Sequence, residues 1–325
     1  MAKTDQPTPI LDDANFLLHH GTARSFLQNL PEQSMQLIIT SPPYCIGQEY
    51  EKGIDLKYFQ EIIGEVLADL VRVLKPGGSM AWQVGYQAKK NELFPLDYTV
   101  YSIMLQFPQL KLRNRIIWTF GHGHHLKRRF SGRHEIILWF TKGDEYTFDL
   151  DSVRVPQKYP GKKHYKGAKK GQFSGNPGGK NPSDVWEIPN VKAAHIEKTA
   201  HPCQFPVGLA DRLIRALSAT NDWVLDPFMG SGSTGVAALI NQRRFVGIET
   251  HKPYVDIAKC RVADAMHGKA RYRAVDLPVR LPKPSESVSK APDHFVRAQR
   301  VKAVEDEGRR SCNRFKASVT GGTDD

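Results

Sequence analysis

Cysteine is scarce in this 325-residue sequence: Cys45, Cys203, Cys260 and Cys312 lie far apart, with no Cys-x-x-Cys pair. That excludes a disulfide framework as the support of the fold and makes a reducing, cytoplasmic setting the expectation. Long hydrophobic runs are also missing. Charged residues interrupt every apolar stretch before the ~20 residues that a membrane span needs, so no membrane partner is expected. The opening MAKTDQPTPILDD lacks an apolar stretch, so a secretory leader is not expected either. Acidic residues are in deficit, with 34 Asp and Glu against 46 Lys and Arg, a net charge of +12 that favours a polyanionic partner, nucleic acid first. Apolar residues are plentiful at 40 %, enough to bury a core and to argue against global disorder. The length suits two domains of roughly 150 residues or one large α/β domain with insertions.

Apolar runs and breakers alternate along the chain. Asn15–His20 and Met35–Thr40 read as short strands, the second ending at Ser41-Pro42-Pro43, where proline cannot continue a central ladder. Phe59, Ile63, Val66, Leu67, Leu70 and Leu74 recur at helical spacing, and Lys75-Pro76-Gly77-Gly78 supplies the stop. Ser79–Val84, Arg115–Thr119 and Glu135–Phe140 predict further strands. This rhythm predicts an α/β fold built on a parallel sheet. After a gap it resumes with a helix over 206–217, a strand Trp223–Asp226, a glycine turn, a helix to about Asn241, a strand Phe245–Glu249 and a helix from Pro253. In the gap, residues 144–199 turn to glycine, lysine and proline and hold too little apolar material for a core of their own. They predict a long functional loop or a poorly ordered insertion. The expected organisation is a first half-domain over 1–143, an insertion over 144–199, a second half-domain over 200–270 and a charged, disordered tail over 271–325, with a short helix near 292–305.

Two motifs carry chemistry. Trp223–Gly235 reads WVLDPFMGSGSTG, a strand running through a tight glycine turn into a helix. Glycines there let backbone approach a ligand, and the helix N-terminus offers unpaired N–H groups. Gly230, Gly232 and Gly235 satisfy G-x-G-x-x-G, and the next strand ends in Glu249, placed to accept hydrogen bonds from a ribose. The pair predicts an adenosine-containing ligand. Asp226-Pro227-Phe228 separates the strand from the glycines, and a carboxylate there would repel a pyrophosphate but attract a cationic amino-acid moiety. S-adenosylmethionine is therefore favoured over NAD.

The second motif, Thr40–Tyr44, reads TSPPY. A strand delivers a hydroxyl, two rigid prolines and an aromatic ring to its carboxyl edge, where open α/β sheets bind ligands. Ser41 Oγ and a proline carbonyl can accept both hydrogens of an exocyclic amine, with Tyr44 stacking on the ring that bears it. TSPPY followed downstream by DPFMGSGST resembles the amino-methyltransferases of DNA, in the circularly permuted β order of motifs. KPGGSMAWQVG, RNRIIWTF, HEIILWFTKG, HPCQFPVGLADRLI and FVGIE fit the same order, so the resemblance spans roughly residues 15–265.

The resemblance implies a Rossmann-like, S-adenosylmethionine-dependent methyltransferase fold, with the catalytic half first, a target-recognition insertion over 144–199 and the cofactor-binding half after it. It implies a bacterial or phage enzyme acting on double-stranded DNA, with or without a cognate restriction endonuclease. Catalysis falls to Ser41, Pro42, Pro43 and Tyr44 on a base flipped out of the duplex. Asp226, Pro227, Phe228, Gly230, Gly232 and Ser233 surround the methionine end of the cofactor. Glu249 takes the ribose, Gln204, Phe205 and Pro206 lie near the carboxylate, and Thr22 takes the adenine side. Two positions depart from the family pattern: Thr22 follows Gly21 where aspartate is common, and Cys45, read as a packed thiol, follows the tyrosine where asparagine is common. Serine at the head of the motif resembles the N4-cytosine group, with N6-adenine as the alternative. An NAD-dependent oxidoreductase and a catalytically silent DNA-binding protein are the rivals from other classes.

Cations cluster in two places. Lys127, Arg128, Arg129 and Arg133 lie between two strands, and Lys162, Lys163, Lys169 and Lys170 lie in the insertion among aromatics, placed to track phosphates. His122, His124 and His125 have no partners at ligand spacing, and no metal is expected. Trp82, Trp118 and Trp139 fall in strands and are expected in the core.

Overall fold

The computed structural model describes residues 14–44, 56–89, 92–121, 123, 125–278, 283 and 285–290. Met1–Leu277 forms one compact unit, and Pro278–Asp325 groups as a second. The helix expected near 292–305 lies outside the described residues, as do Cys45 and Cys312.

Ten strands and six α-helices are described. The first half supplies β1 (Phe16–His20), α1 (Ala23–Leu27), β2 (Met35–Thr40), α2 (Leu56–Val73) and β3 (Leu74–Val84). Then come the hairpin β4 (Tyr86–Lys89) and β5 (Glu92–Pro95), α3 (Leu96–Met104), β6 (Leu110–Thr119) and β7 (His134–Lys142). After the insertion, which contributes β8 (Val185–Glu187), follow α4 (Val207–Leu217), β9 (Trp223–Asp226), α5 (Ser233–Ile240), β10 (Arg244–Glu249) and α6 (Lys252–Met266).

Eight strands share one sheet in the order β1-β10-β9-β2-β3-β7-β6-β8. Its pairings are parallel except those of β7, which runs antiparallel to both β3 and β6. The expected parallel sheet is thus mixed. β6 and β7 are joined by a loop rather than a helix, so the second must return beside the first. Both faces are covered. Ile38, Met80, Trp82, Leu225 and Val246 point into one core with α1, α2 and α3. Leu37, Ile39, Ala81, Val224 and Phe245 point into the other, with α4, α5 and α6. This alternation is the period of two that strands impose, and burial on both sides explains why these strands read as continuous apolar runs. Lys75–Gly78, expected only to stop the helix, instead opens β3, where Gly77 adopts φ +74° and the β2–β3 register shifts.

Residues 144–199 are anchored to the body of the protein at both ends. Val153, Trp186, Ile188 and Val191 are buried, the first three in the second core, and β8 extends the sheet beside β6. Residues 271–277, expected in the tail, also pack on the main unit: Val275 is buried, and the Arg273 amide donates to Glu197 at 3.0 Å.

Candidate active site

β2 and β9 are adjacent and parallel, with Leu37 opposite Val224 and Ile38 opposite Leu225. From β2 the chain proceeds through α2 to β3 on one side. From β9 it proceeds through α5 to β10 on the other. Crossovers departing in opposite directions leave a crevice at the carboxyl ends of the two strands, and both motifs begin there. A cavity of about 540 Å³ occupies it, within the range usual for ligand sites (~300–1,000 Å³).

Ser41, Pro42, Pro43 and Tyr44 line one side of this cleft. Pro227, Phe228, Gly230 and Ser233 of the glycine turn, Glu249, Thr22, Gln204 and Phe205 line the rest. Three expected cofactor contacts stand behind the wall instead. Pro206 is the N-cap of α4. Gly232 caps α5 at φ +79°, and a Cβ there would lie 2.9 Å from Ala258 Cβ of α6. Asp226 is fully buried, accepting hydrogen bonds from the Phe228 amide at 3.1 Å and the Thr234 hydroxyl at 2.6 Å. It braces the turn from beneath, and burial raises its pKa to about 7.

The glycine turn is held from several directions. Glu249 accepts from the Gly230 amide at 3.0 Å through one oxygen and from the His251 amide at 2.8 Å through the other. Gly230 sits at φ +50°, and a Cβ on it would approach His201 Nε2 to 2.8 Å. Arg261 of α6 donates to the Ser231 carbonyl at 2.7 Å, and the Ser233 hydroxyl donates to the Phe205 carbonyl at 2.9 Å, tying the turn to the 204–206 segment. Gln204 accepts from the Thr199 hydroxyl at 2.9 Å and donates to the Glu197 carbonyl at 2.9 Å, while Thr22 caps α1.

On the opposite wall, Ser41 Oγ lies 2.9 Å from the Tyr44 hydroxyl, which also reaches the Gln83 carbonyl at 3.3 Å. Among the cleft residues that sequence reasoning missed are Gln83, Glu135, His201 and Tyr254. Gln83 Nε2 donates to Glu135, whose pKa is raised by burial to about 7. His201 is depressed to about 4, chiefly by burial and then by the charges of Lys198, Arg261 and His251. The available signal was a carboxylate opening the apolar run EIILWF and a glutamine inside MAWQV, polar residues at strand ends on the same edge as the motif.

None of the eight expected DNA-contacting cations lines this cleft. Lys127, Arg128, Lys162, Lys163, Lys169 and Lys170 are exposed, and Arg129 and Arg133 are half-buried. Arg129 stands over the Tyr86 ring, 5.6 Å from its centroid, and Lys163 over Phe173 at 5.2 Å. Phe130, between the basic residues, is 100 % exposed. His125 is exposed, while His122 and His124 lie outside the described residues. Trp82, Trp118 and Trp139 are buried as expected, although Trp118 also reaches the cleft wall.

A sequence model described as DNA methylase, of the N6/N4 group, matches residues 35–260, which include both motifs. The chain belongs to the DNA methylase family. The type II methyltransferase M.BglII of Bacillus subtilis is 45 % identical over 245 residues, covering 74 % of this chain and 67 % of that one. The DNA adenine methyltransferase YhdJ of Escherichia coli is 32 % identical, with 82 % and 88 % covered. Among solved structures, the DNA modification methylase TTHA0409 of Thermus thermophilus in complex with S-adenosyl-L-methionine has a TM-score of 0.55 at 28 % identity, covering 77 % of this chain and 96 % of that one.

This DNA methylase uses S-adenosylmethionine, and the oxidoreductase reading falls. The cleft suits that cofactor by its own chemistry. Phe205, Phe228 and Ile248 offer apolar surface to an adenine ring and an aliphatic chain, and the Glu249 carboxylate retains accepting capacity beyond its two backbone partners. The positive φ at Gly230 turns the main chain along the cleft, while that at Gly232 lets the turn pack against Ala258 of α6.

Proposed function

We propose that this methylase acts on the N4 amine of a cytosine in double-stranded DNA, flipped out of the duplex into the cleft. Ser41, Pro42, Pro43 and Tyr44 form the catalytic wall, and Thr22, Gln204, Phe205, Phe228, Gly230, Ser233 and Glu249 form the cofactor wall. The observation that carries the reading is the shared cleft: a hydroxyl and a proline-rich turn at the end of β2 face the glycine turn at the end of the neighbouring β9.

An exocyclic amine is a poor nucleophile because its lone pair is delocalised into the ring. Acceptors at Ser41 Oγ and the Pro42 carbonyl hold its two hydrogens and favour the pyramidal geometry in which the lone pair is localised. When bound, S-adenosylmethionine supplies a methyl group made electrophilic by its sulfonium. Tyr44 packs on the flipped base, and no covalent enzyme intermediate is needed, so positioning and electrostatics supply the rate. The two cationic clusters track phosphates, and the 144–199 segment serves as the target-recognition element. A cognate restriction endonuclease is the natural counterpart of such an enzyme.

Methylation of N6-adenine is the second reading, favoured by the 32 % identity to an enzyme named as an adenine methyltransferase. Incubating duplex DNA with methyl-labelled cofactor and analysing the nucleosides separates the two. N4-methylcytosine is expected, N6-methyladenine would replace the first reading with the second, and label on neither base would overturn both. Ser41→Ala removes one amine acceptor and should lower the single-turnover rate by about 10²–10³, the range seen on losing one preorganised hydrogen-bonding group. Cofactor affinity in that variant, measured by calorimetry, should stay within about twofold.

A further inference from the structure

Methyl transfer to an amine leaves a proton to dispose of. As the new N–C bond forms and the S–C bond breaks, sulfur retains that bond's electrons and becomes a neutral thioether, while the nitrogen becomes cationic. One N–H bond must then break, its electrons returning to nitrogen. The acceptors at Ser41 and Pro42 hold the hydrogens but provide no exit.

The structure offers one. Ser41 Oγ is 2.9 Å from the Tyr44 hydroxyl, which donates to the Gln83 carbonyl at 3.3 Å and feels the charge of the neighbouring Glu135 carboxyl. Gln83 Nε2 also holds that carboxyl. The three segments meet at Gly85, where a Cβ would stand 3.5 Å from both the Tyr44 ring and Glu135 Cγ. Glu135 lines the main cleft and also a second groove of about 440 Å³ bordered by β4, the start of α3 and the loop ahead of β7. It therefore borders both the main cleft and a second opening.

We propose that Glu135 is the terminal acceptor of the proton released by methylation, relayed to it by Ser41 and Tyr44 and discharged through the second groove. This rests on the amine-methylation reading above. The amine proton passes to Ser41 Oγ as the Ser41 hydroxyl proton passes to Tyr44, and the Tyr44 hydroxyl, turning from the Gln83 carbonyl, gives its proton to the Glu135 carboxylate. Water in the groove then takes the proton from Glu135. Tyr44 is suited to hand on a proton rather than ionise, since burial and the nearby Glu135 charge hold its pKa well above the usual value. Burial brings Glu135 to about 7, restrained by its bonds to Gln83 and Tyr44, so it is available as a base at neutral pH and can release the proton again. The polar and titratable groups around this path are Tyr44 and Gln83, Cys203 across the cleft, and Tyr86, His134, Arg129 and the Asp97–Arg115 ion pair (2.7 Å) around the groove.

The test is single-turnover methylation of duplex DNA by the full chain, with saturating S-adenosylmethionine, between about pH 5.5 and 9. The wild-type rate should fall as pH drops below about 7, because protonated Glu135 cannot accept. Glu135→Gln should be at least about tenfold slower at pH 8 and flat across that range, with cofactor and DNA affinities within about twofold. Glu135→Asp should restore a pH inflection. An inflection that survives in Glu135→Gln, or a rate unchanged by the substitution, overturns the relay. If Glu135→Gln fails to fold, a proton inventory of the wild type in mixed H₂O and D₂O decides. A curved dependence, from several protons in flight, supports the relay, and no solvent isotope effect overturns it. DNA methylated normally with an unaltered pH profile sinks only the relay, whereas no methylated base at all sinks the reading beneath it.

Discussion

Asp226 lies beneath the cleft that its sequence position suggested it would line. Its sequence position, ahead of a glycine turn, put its charge in the cleft. The structure puts it underneath, hydrogen-bonded to Phe228 and Thr234, because β9 continues to Asp226 and all four of its residues are buried. The placement has a thermodynamic consequence. In the unfolded chain this carboxyl ionises near 3.8, whereas in the folded protein it ionises at about 7. Below the first value both states are protonated and the group is neutral in effect. Between the two the unfolded state binds fewer protons, so stability falls as pH rises, and above the second the full penalty is present. Its size is on the order of a few kcal/mol at most. Urea unfolding of the cofactor-free protein should therefore show Asp226→Asn losing less stability than wild type between about pH 5 and pH 8. Equal losses in both would mean that the carboxyl is not neutral in the folded state at pH 5. Glu135 escaped sequence reasoning for a related cause. At the head of EIILWF it reads as the solvated end of a strand, and only the fold brings Tyr44 and Gln83 against it.

At the scale of elements, β2, β9 and the turns that follow them were legible because proline and glycine act locally, ending or bending a chain whatever surrounds it. The neighbouring relation of β2 and β9 was not legible from either segment alone, since it depends on strand order. β8 was missed because three residues, Val185–Glu187, carry no periodicity, and α3 because its buried apolar residues, Leu96, Val100 and Met104, are few and its sequence is rich in β-branched and aromatic residues. The lysine-rich stretch was read as loop for want of apolar residues, yet it forms its own backbone ladder: the His164 amide donates to the Gln172 carbonyl at 2.9 Å and the Gly171 amide returns to the His164 carbonyl at 3.0 Å. That hairpin presents Lys169 and Lys170 to solvent. If they contact phosphates, Lys169→Ala with Lys170→Ala should weaken DNA binding uniformly across sequences and reduce the slope of log K against log salt by about 2, or about 1 for each cation. An unchanged slope in a filter-binding or anisotropy titration would remove the hairpin from the phosphate path.

Across the whole molecule, two cores and a switch-point cleft are assembled from segments on both sides of the 144–199 insertion, so the insertion must leave and rejoin the body without disturbing the sheet. Its geometry allows this. Val155 and Lys180 exchange both backbone hydrogen bonds at 2.9 Å, closing the excursion at its base, and no residue from 156 to 178 is buried. The parts that do enter the core, Val153 before the bridge and Trp186 and Ile188 after it, lie outside that stretch. Stability and the cofactor site should then be separable from target recognition. Replacing residues 156–178 with a short glycine-containing turn shortens a surface loop, and loop-closure entropy changes slowly with length, so the melting temperature should shift by only a few degrees. S-adenosylmethionine affinity should stay within about twofold, since none of the excised residues lines the cleft. If the segment docks the substrate, methylation of duplex DNA should fall by about 10²-fold or more, because the body keeps its chemistry but loses those contacts. A shortened protein that methylates the same sites at the parental rate would show that recognition resides elsewhere, with the basic loop between β6 and β7 as the next element to replace.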